Sequence, residues 1–366
     1  MTLKSCQSSV CGRYTMIDNV ISKTEIDNDF LIKIGELLEN AQKRIASAIN
    51  ISMVYTYYEI GKNIVEEEQN GKERAEYGKK LIKSLSEYLT SKYGKGYSVG
   101  NLKNIRQFYK IYSADQIGET VFSQFEKYPL TSSGRRFYLS WSHYLMLMRI
   151  GNEDERHFYE IEAAKNNWSL SELKRQFNSS LFERLVLSKD KNAIKTLSQK
   201  GQVIQTPQDL VKDPYVLEFL KLPELNKYSE SDLETKIIDN IQTFLLELGK
   251  GFTFVGRQVR FTFEEEHFRV DLVFFNRILR CFVLFDLKIG GLKHQDIGQM
   301  QMYVNYYDRI VKLPEENPTI GIILCKDKNQ AIVEMTLPED NKQIFASKYE
   351  TVLPSKDKLK SLLEEL

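Results

Sequence analysis

Cysteine, tryptophan, histidine and proline are scarce in this chain, at 4, 2, 4 and 8 copies in 366 residues. Each scarcity closes a route. Cys6 and Cys11 lie in a polar N-terminal segment, Cys281 and Cys325 in apolar runs, and no CxxC pair stands ready for zinc. A secreted disulfide framework is not expected. The four histidines (His143, His157, His267, His294) are scattered without zinc-ligand spacing. No apolar stretch approaches the roughly 20 residues of a membrane span, and the N-terminus lacks a signal-peptide core. A cytoplasmic protein with no membrane partner is therefore expected. An excess of one charge is missing too, with 51 Lys and Arg against 50 Asp and Glu. Any footprint for a polyanion must be local.

What is present is charge in an unusual place. Asp271 sits in the apolar run Phe268-Arg-Val-Asp-Leu-Val-Phe-Phe275, and Asp286 and Lys288 close a second one, Cys281-Phe-Val-Leu-Phe-Asp-Leu-Lys288. Strands this apolar are usually buried, and burying an unpaired carboxylate is costly. Two acids on neighbouring strands suit a hard divalent cation. Alternation along a strand puts Asp286 and Lys288 on one face and Leu287 on the other. The simplest structural reading of the same residues is a salt bridge between Lys288 and an aspartate.

The length allows two domains, each with its own core. After a flexible tail over residues 1–25, the first part reads as helical. Apolar spacing predicts a helix over Phe30–Gly61, a second over Tyr77–Tyr93, and a third opening at Ser98 as N-cap with Leu102, Ile105, Phe108 and Tyr109 inward. Trp141–Ile150 is another candidate. Ser169-Leu-Ser-Glu172 is a capping box opening a helix that carries Leu173, Phe177 and Leu181. From Lys189 the composition turns polar up to Pro207 and Pro214, which places a boundary between a helical domain (26–200) and a second domain (208–366).

The second part changes period. A helix over Ser231–Leu248 precedes strands over Phe254–Phe263, Phe268–Phe275 and Arg280–Leu287. A helix over Gln295–Asp308 and a strand over Thr319–Cys325 follow. The order α-β-β-β-α-β predicts an α/β core with mixed strand pairing, and an α+β protein overall.

Asp271, followed fifteen positions later by Asp286-Leu-Lys288, resembles the PD-(D/E)XK nuclease signature. The element order is similar to the restriction-endonuclease-like core, and Gln299-Met-Gln-Met-Tyr303 resembles the QxxxY motif of RecB-type members. Longer stretches resemble the YhcG-like family of predicted bacterial nucleases: Phe244–Phe252, Val255-Gly-Arg-Gln258, Gly298-Gln299 and Thr319–Cys325. In the helical part the matching pieces are Gly96-Tyr-Ser98, Asn101-Leu102, Arg106-Gln-Phe108, Leu139–His143 and Trp168-Ser169. Asp286 departs from the glutamate usual in that family, and Val270 stands where a proline often precedes the first acid.

The resemblance implies a Mg²⁺- or Mn²⁺-dependent nuclease, an endonuclease in the first instance. Asp271, Asp286 and the backbone carbonyl of Leu287 would be its metal ligands. Lys288 would orient water or stabilise charge on the phosphate. Gln299 and Tyr303, one turn apart on a helix face, would reach the metal's water or the substrate. DNA, including structured or branched DNA, is the expected substrate, with RNA left open. A catalytically silent DNA-binding or adaptor protein, or a scaffold in a larger defence complex, are the rival readings.

Glu234 precedes the first strand, where such enzymes often carry an acid. It also completes a possible capping box, Ser231-Asp-Leu-Glu234, and both readings stay open. His294 at a helix start and His267 at an acidic hairpin tip read as solvated. Lys92–Lys110 contains no acid, and helix, glycine turn and helix resemble a helix-turn-helix. Lys95, Lys103, Arg106 and Lys110 are its nucleic-acid-binding candidates, with Tyr97, Asn101 and Gln107 as additional contacts. The alternative is a solvated basic face. Gly134-Arg-Arg136 with Trp141 and His143 is a second candidate. The long apolar helix over Leu31–Val54 is the candidate for self-association into a homo-oligomer, a dimer in the simplest case.

Overall fold

The computed structural model describes residues 28–70, 75–113, 131, 135–187, 193–222, 228–263, 265–357, 359 and 361. Residues 1–25, and with them Cys6 and Cys11, lie outside the described residues, as does Gly134.

The helical part contains α1 (Asn28–Asn70), α2 (Ala75–Tyr93), α3 (Val99–Tyr112), α4 (Trp141–Leu147), α5 (Glu153–Lys165), α6 (Leu170–Asn178), α7 (Leu181–Leu187) and α8 (Ala193–Lys200). The expected first helix runs on past Gly61 to Asn70. At Gly61 it presses against α3 so closely that a Cβ would stand 2.4 Å from the carbonyl oxygen of Ile105. Ser98 caps α3 as expected, its side chain accepting from the Asn101 N–H at 3.2 Å. The Ser169–Glu172 box caps α6. That helix ends at Asn178, so Leu181 begins α7 instead of continuing the same helix. An aromatic core fills the centre: Tyr58, Phe108, Tyr112, Phe137 and Tyr144 are all fully buried.

The second part is a six-stranded sheet in the order β1-β6-β5-β4-β3-β2. The strands are β1 (Tyr215–Val216), β2 (Phe252–Phe263), β3 (Glu266–Asn276), β4 (Cys281–Gly291), β5 (Ile320–Asp327) and β6 (Ile344–Glu350). The pairs β2–β3 and β3–β4 are antiparallel, while β4–β5, β5–β6 and β6–β1 are parallel. The mixed pairing and the α-β-β-β-α-β order are as read from the sequence, with β1 and β6 added at one side.

The helix expected over Ser231–Leu248 is two helices, α9 (Glu230–Asp239) and α10 (Ile241–Leu248), interrupted at Asn240. They cover one face, where Leu233, Ile237 and Phe244 pack on Leu272, Phe274, Phe285 and Leu287. The helix α11 (His294–Tyr306) covers the other, where Ile297, Met300 and Val304 meet Val273, Leu284 and Ile323. A short π-helical turn (Tyr307–Val311) extends it, and α12 (Gln330–Thr336) precedes β6.

The two parts meet through a buried charge cluster. Glu247 on α10 accepts hydrogen bonds from Arg184 of α7 at 2.6 Å, Arg175 of α6 at 3.1 Å and the Val216 N–H at 3.0 Å. Arg175 also pairs with Glu218 at 3.1 Å. Burial alone would raise the Glu247 pKa, but Arg184, Lys212 and Arg175 outweigh it and hold the carboxyl at about 2. Burial takes the neighbouring Lys212 ammonium down to about 8.

Candidate active site

The ladder between β3 and β4 ends at Leu272–Phe285, and the next positions along it are Asp271 and Asp286. There the strands part, and side chains take over from backbone pairing. Asp271 Oδ2 accepts the Leu287 N–H at 2.8 Å, replacing the carbonyl that a continued ladder would supply. The two carboxylates are thus set side by side by the register of a hairpin.

Asp286 is 2% exposed. Burial, reinforced by the charge of Asp271 and opposed by Lys288, raises its pKa to about 7. Lys288 Nζ stands 2.9 Å from Asp286 Oδ2, and this ammonium is that oxygen's one partner among the described residues. Burial would lower the Lys288 pKa, but Asp286 raises it above the usual lysine value. The salt bridge of the simplest reading is therefore present, within a site that holds a second acid. Glu230 of α9 lies 3.9 Å from the same ammonium.

Glu234 settles differently from its cap reading. The box at the start of α9 is Ser229 with Asp232, so Ser231 and Glu234 form no cap. Glu234 is buried and accepts from Gln258 Nε2 at 2.6 Å. The same amide nitrogen donates to Asp271 Oδ1 at 3.0 Å. Burial, together with the nearby Asp271 charge, raises the Glu234 pKa.

Gln258 had no assigned role in the sequence. Its backbone is left-handed, with φ 47°, a conformation that costs a non-glycine residue free energy and recurs at functional sites. The irregularity interrupts the β2–β3 ladder between Arg257–Leu272 and Val259–Val270 and turns the side chain between the two acids. Only its place in Val255-Gly-Arg-Gln258 hinted at it.

Gln299 and Tyr303 share a face of α11, and Gln299 Nε2 donates to the Tyr303 hydroxyl. Tyr303 is 1% exposed, and burial, then the charge of Asp286, push its hydroxyl up to about 12. Among the described residues neither side chain hydrogen-bonds Asp271, Asp286 or Lys288. No group of three or more His, Cys, Asp or Glu side chains among the described residues forms a complete metal cage. His294 and His267 are exposed, as expected.

The helix-turn-helix candidates separate. Lys95 in the turn and Lys103 and Lys110 on α3 are exposed. Arg106 instead pairs with Glu68 of α1 at 2.7 Å. Asn101 donates to the Gly96 carbonyl and accepts from the Trp141 indole, so it serves the turn. In the second candidate, Arg135 is buried against Glu160 at 2.9 Å and His143 bridges Ser140 and the Trp168 carbonyl. No helix among the described residues is long and apolar enough to cross a membrane.

Residues 208–364 match the YhcG PDDEXK nuclease domain, and residues 33–184 match the DUF1016 N-terminal domain. The chain is 39% identical over 338 residues to "Putative nuclease YhcG" of Escherichia coli (strain K12), covering 88% of this chain and 90% of that protein. The chain belongs to the YhcG family. Its second part therefore carries the family's nuclease domain in a restriction-endonuclease-like fold. A repair endonuclease from Pyrococcus abyssi is 16% identical, with a TM-score of 0.24, over 34% of this chain and 49% of that one. The EndoMS-dsDNA2 complex is 16% identical, with a TM-score of 0.26, over 37% of this chain and 48% of that one. The chain spans about half the length of each of these two structures.

Proposed function

We propose that this protein is a divalent-metal-dependent nuclease that hydrolyses phosphodiester bonds in DNA. The observation that carries this reading is Asp271 and Asp286 side by side where β3 and β4 part, with Lys288 2.9 Å from Asp286. A buried carboxylate oxygen whose one neighbour is an ammonium suits a cation, and Mg²⁺ takes only one or two carboxylates beside water and phosphate. A complete protein cage is not required. Asp271, Asp286 and the Leu287 carbonyl would hold the ion, which when bound supplies Lewis-acid stabilisation of the phosphate. Lys288 offers a fixed positive charge where charge develops on that phosphate. Tyr303, protonated at neutral pH, donates and does not act as a base, with Gln299 beside it. Residues 208–366 form the catalytic part in this reading. Residues 26–200 form the part that binds DNA or a second copy, with Lys95, Lys103 and Lys110 as free cations of α3 and its turn.

The test is a cleavage panel with Mg²⁺ or Mn²⁺ on linear, supercoiled, single-stranded and four-way-junction DNA and on RNA. Metal-dependent cutting by the wild type, absent from Asp286→Ala, is expected. Cutting that survives the substitution in pure protein rejects the site. RNA cut in preference to DNA rejects the substrate.

Gln258 supports a separate expectation. An amide that orients a ligand carboxylate typically changes metal affinity 10–100-fold when removed. Gln258→Ala should weaken Mn²⁺ binding, measured by calorimetry, by roughly tenfold or more. An unchanged affinity would mean that the amide serves only to tie α9 to the sheet.

A further inference from the structure

The β2–β3 hairpin carries an arrangement that its fold does not need. Arg260 and Arg269 stand directly opposite each other in the antiparallel ladder, between the pairs Val259–Val270 and Phe261–Phe268. Like charges at directly opposed positions destabilise a ladder. Val270 and Phe261 are buried, and Phe261 stacks on Tyr306 at 4.0 Å. The alternation therefore sends both arginines out to solvent, and both are exposed.

No carboxylate among the described residues relieves the repulsion. Among the described residues none lies within 4.0 Å of either guanidinium, although Glu265 lies in the adjoining turn and Glu266 begins β3. The third arginine of the hairpin, Arg257, has Glu234 at 3.9 Å. The pair lies two residues along each strand from Gln258 and Asp271, a displacement of about 6.8 Å. Two planar guanidinium groups beside a cluster of acids present the charge and the fork geometry that phosphate oxygens accept.

We propose that Arg260 and Arg269 form a phosphate clamp that holds the nucleic-acid backbone on the hairpin next to the Asp271 carboxylate. The clamp rests on the nuclease reading and deepens it, by assigning where a strand lies as it leaves the cutting site. Its ligand is a backbone phosphate flanking the one attacked. The contact is indifferent to base identity.

The experiment uses the full chain carrying D286A, so that bound nucleic acid stays intact. Labelled duplex DNA is titrated in EDTA between 50 and 200 mM salt. Each phosphate contact on B-DNA contributes about 0.9 to the slope of log K against log salt. Adding Arg260→Ala and Arg269→Ala should lower affinity about 10- to 100-fold and flatten the slope by about 1.8. Arg260→Lys with Arg269→Lys should keep the slope, which separates lost charge from lost packing. Since the arginines repel each other, the alanine variant should melt no lower than its parent. An unchanged slope, with the parent binding normally, overturns the clamp and leaves the nuclease reading standing. A D286A parent that binds no nucleic acid, from a wild type that cuts none, overturns both.

Discussion

Glu247→Ala is expected to destabilise the protein by about 3–5 kcal/mol, the range for removing one member of a buried ion cluster. Glu247 is fully buried, and its two oxygens receive Arg184, Arg175 and the Val216 N–H. Alanine leaves the Arg184 guanidinium, itself fully buried, without its acid. Urea denaturation measures the loss as a lower midpoint. The pH dependence has a definite sign. The Glu247 carboxyl is held at about 2, below its unfolded value of 4.5. Its contribution is complete above pH 4.5 and disappears as pH falls from there towards 2. The gap between wild type and Glu247→Ala should therefore close on acidification. A gap that stays constant from pH 7 to pH 3 would mean that the cluster stabilises by packing and not by charge.

Asp286→Asn should move stability and activity in opposite directions. In the folded protein the Asp286 carboxyl titrates at about 7, against 3.8 for the free group. A raised carboxylate favours the fold below pH 4, and that benefit is lost as pH rises through 7. Asparagine escapes the cost of ionisation. In EDTA the variant should exceed wild type by on the order of 2 kcal/mol at pH 8, with little difference at pH 4. The full pKa difference corresponds to roughly 4 kcal/mol, and Lys288 loses its partner in return. Melting temperatures across that pH range supply the readout. Millimolar Mg²⁺ should then stabilise wild type and leave the variant unmoved, because a ligand stabilises only the state that binds it. Cleavage by the variant should be lost. A variant less stable than wild type at pH 8 would show Asp286 to be chiefly half of a structural ion pair.

The central triplet was legible because charge in an apolar strand is conspicuous, and the register that sets Asp271 beside Asp286 follows from the hairpin between them. The caps at Ser98 and Ser169 were legible because a cap is a local interaction. The start of α9 was not. Two boxes overlap there, Ser229-Glu-Ser-Asp232 and Ser231-Asp-Leu-Glu234, and local chemistry permits either. The bond from Gln258, 24 positions away, draws Glu234 into the site and leaves the cap to Ser229. Gln258 was hidden for the same reason, since a left-handed φ and two distant partners leave no mark in a period. Arg106 looked like a free cation because Glu68 lies 38 positions earlier on another helix. The splits at Asn178 and Asn240 fall inside apolar spacing that runs on across them, so periodicity alone joined the pieces. The strands β1 and β6 escaped too, the first because two residues carry no pattern.

The sheet closes on a pairing between Tyr215–Val216 and Tyr349–Glu350. Everything between these segments, including Asp271, Asp286 and Lys288, must be made before that edge can form. On the ribosome the helical part can condense early from local contacts, while the parallel strands wait for late-arriving partners. A nascent chain stalled before Ile344 would lack the neighbour that supports β5, and through it β4 with its acids. The support for β4 and its acids thus waits until Ile344–Glu350 has been synthesised, well after the acids themselves.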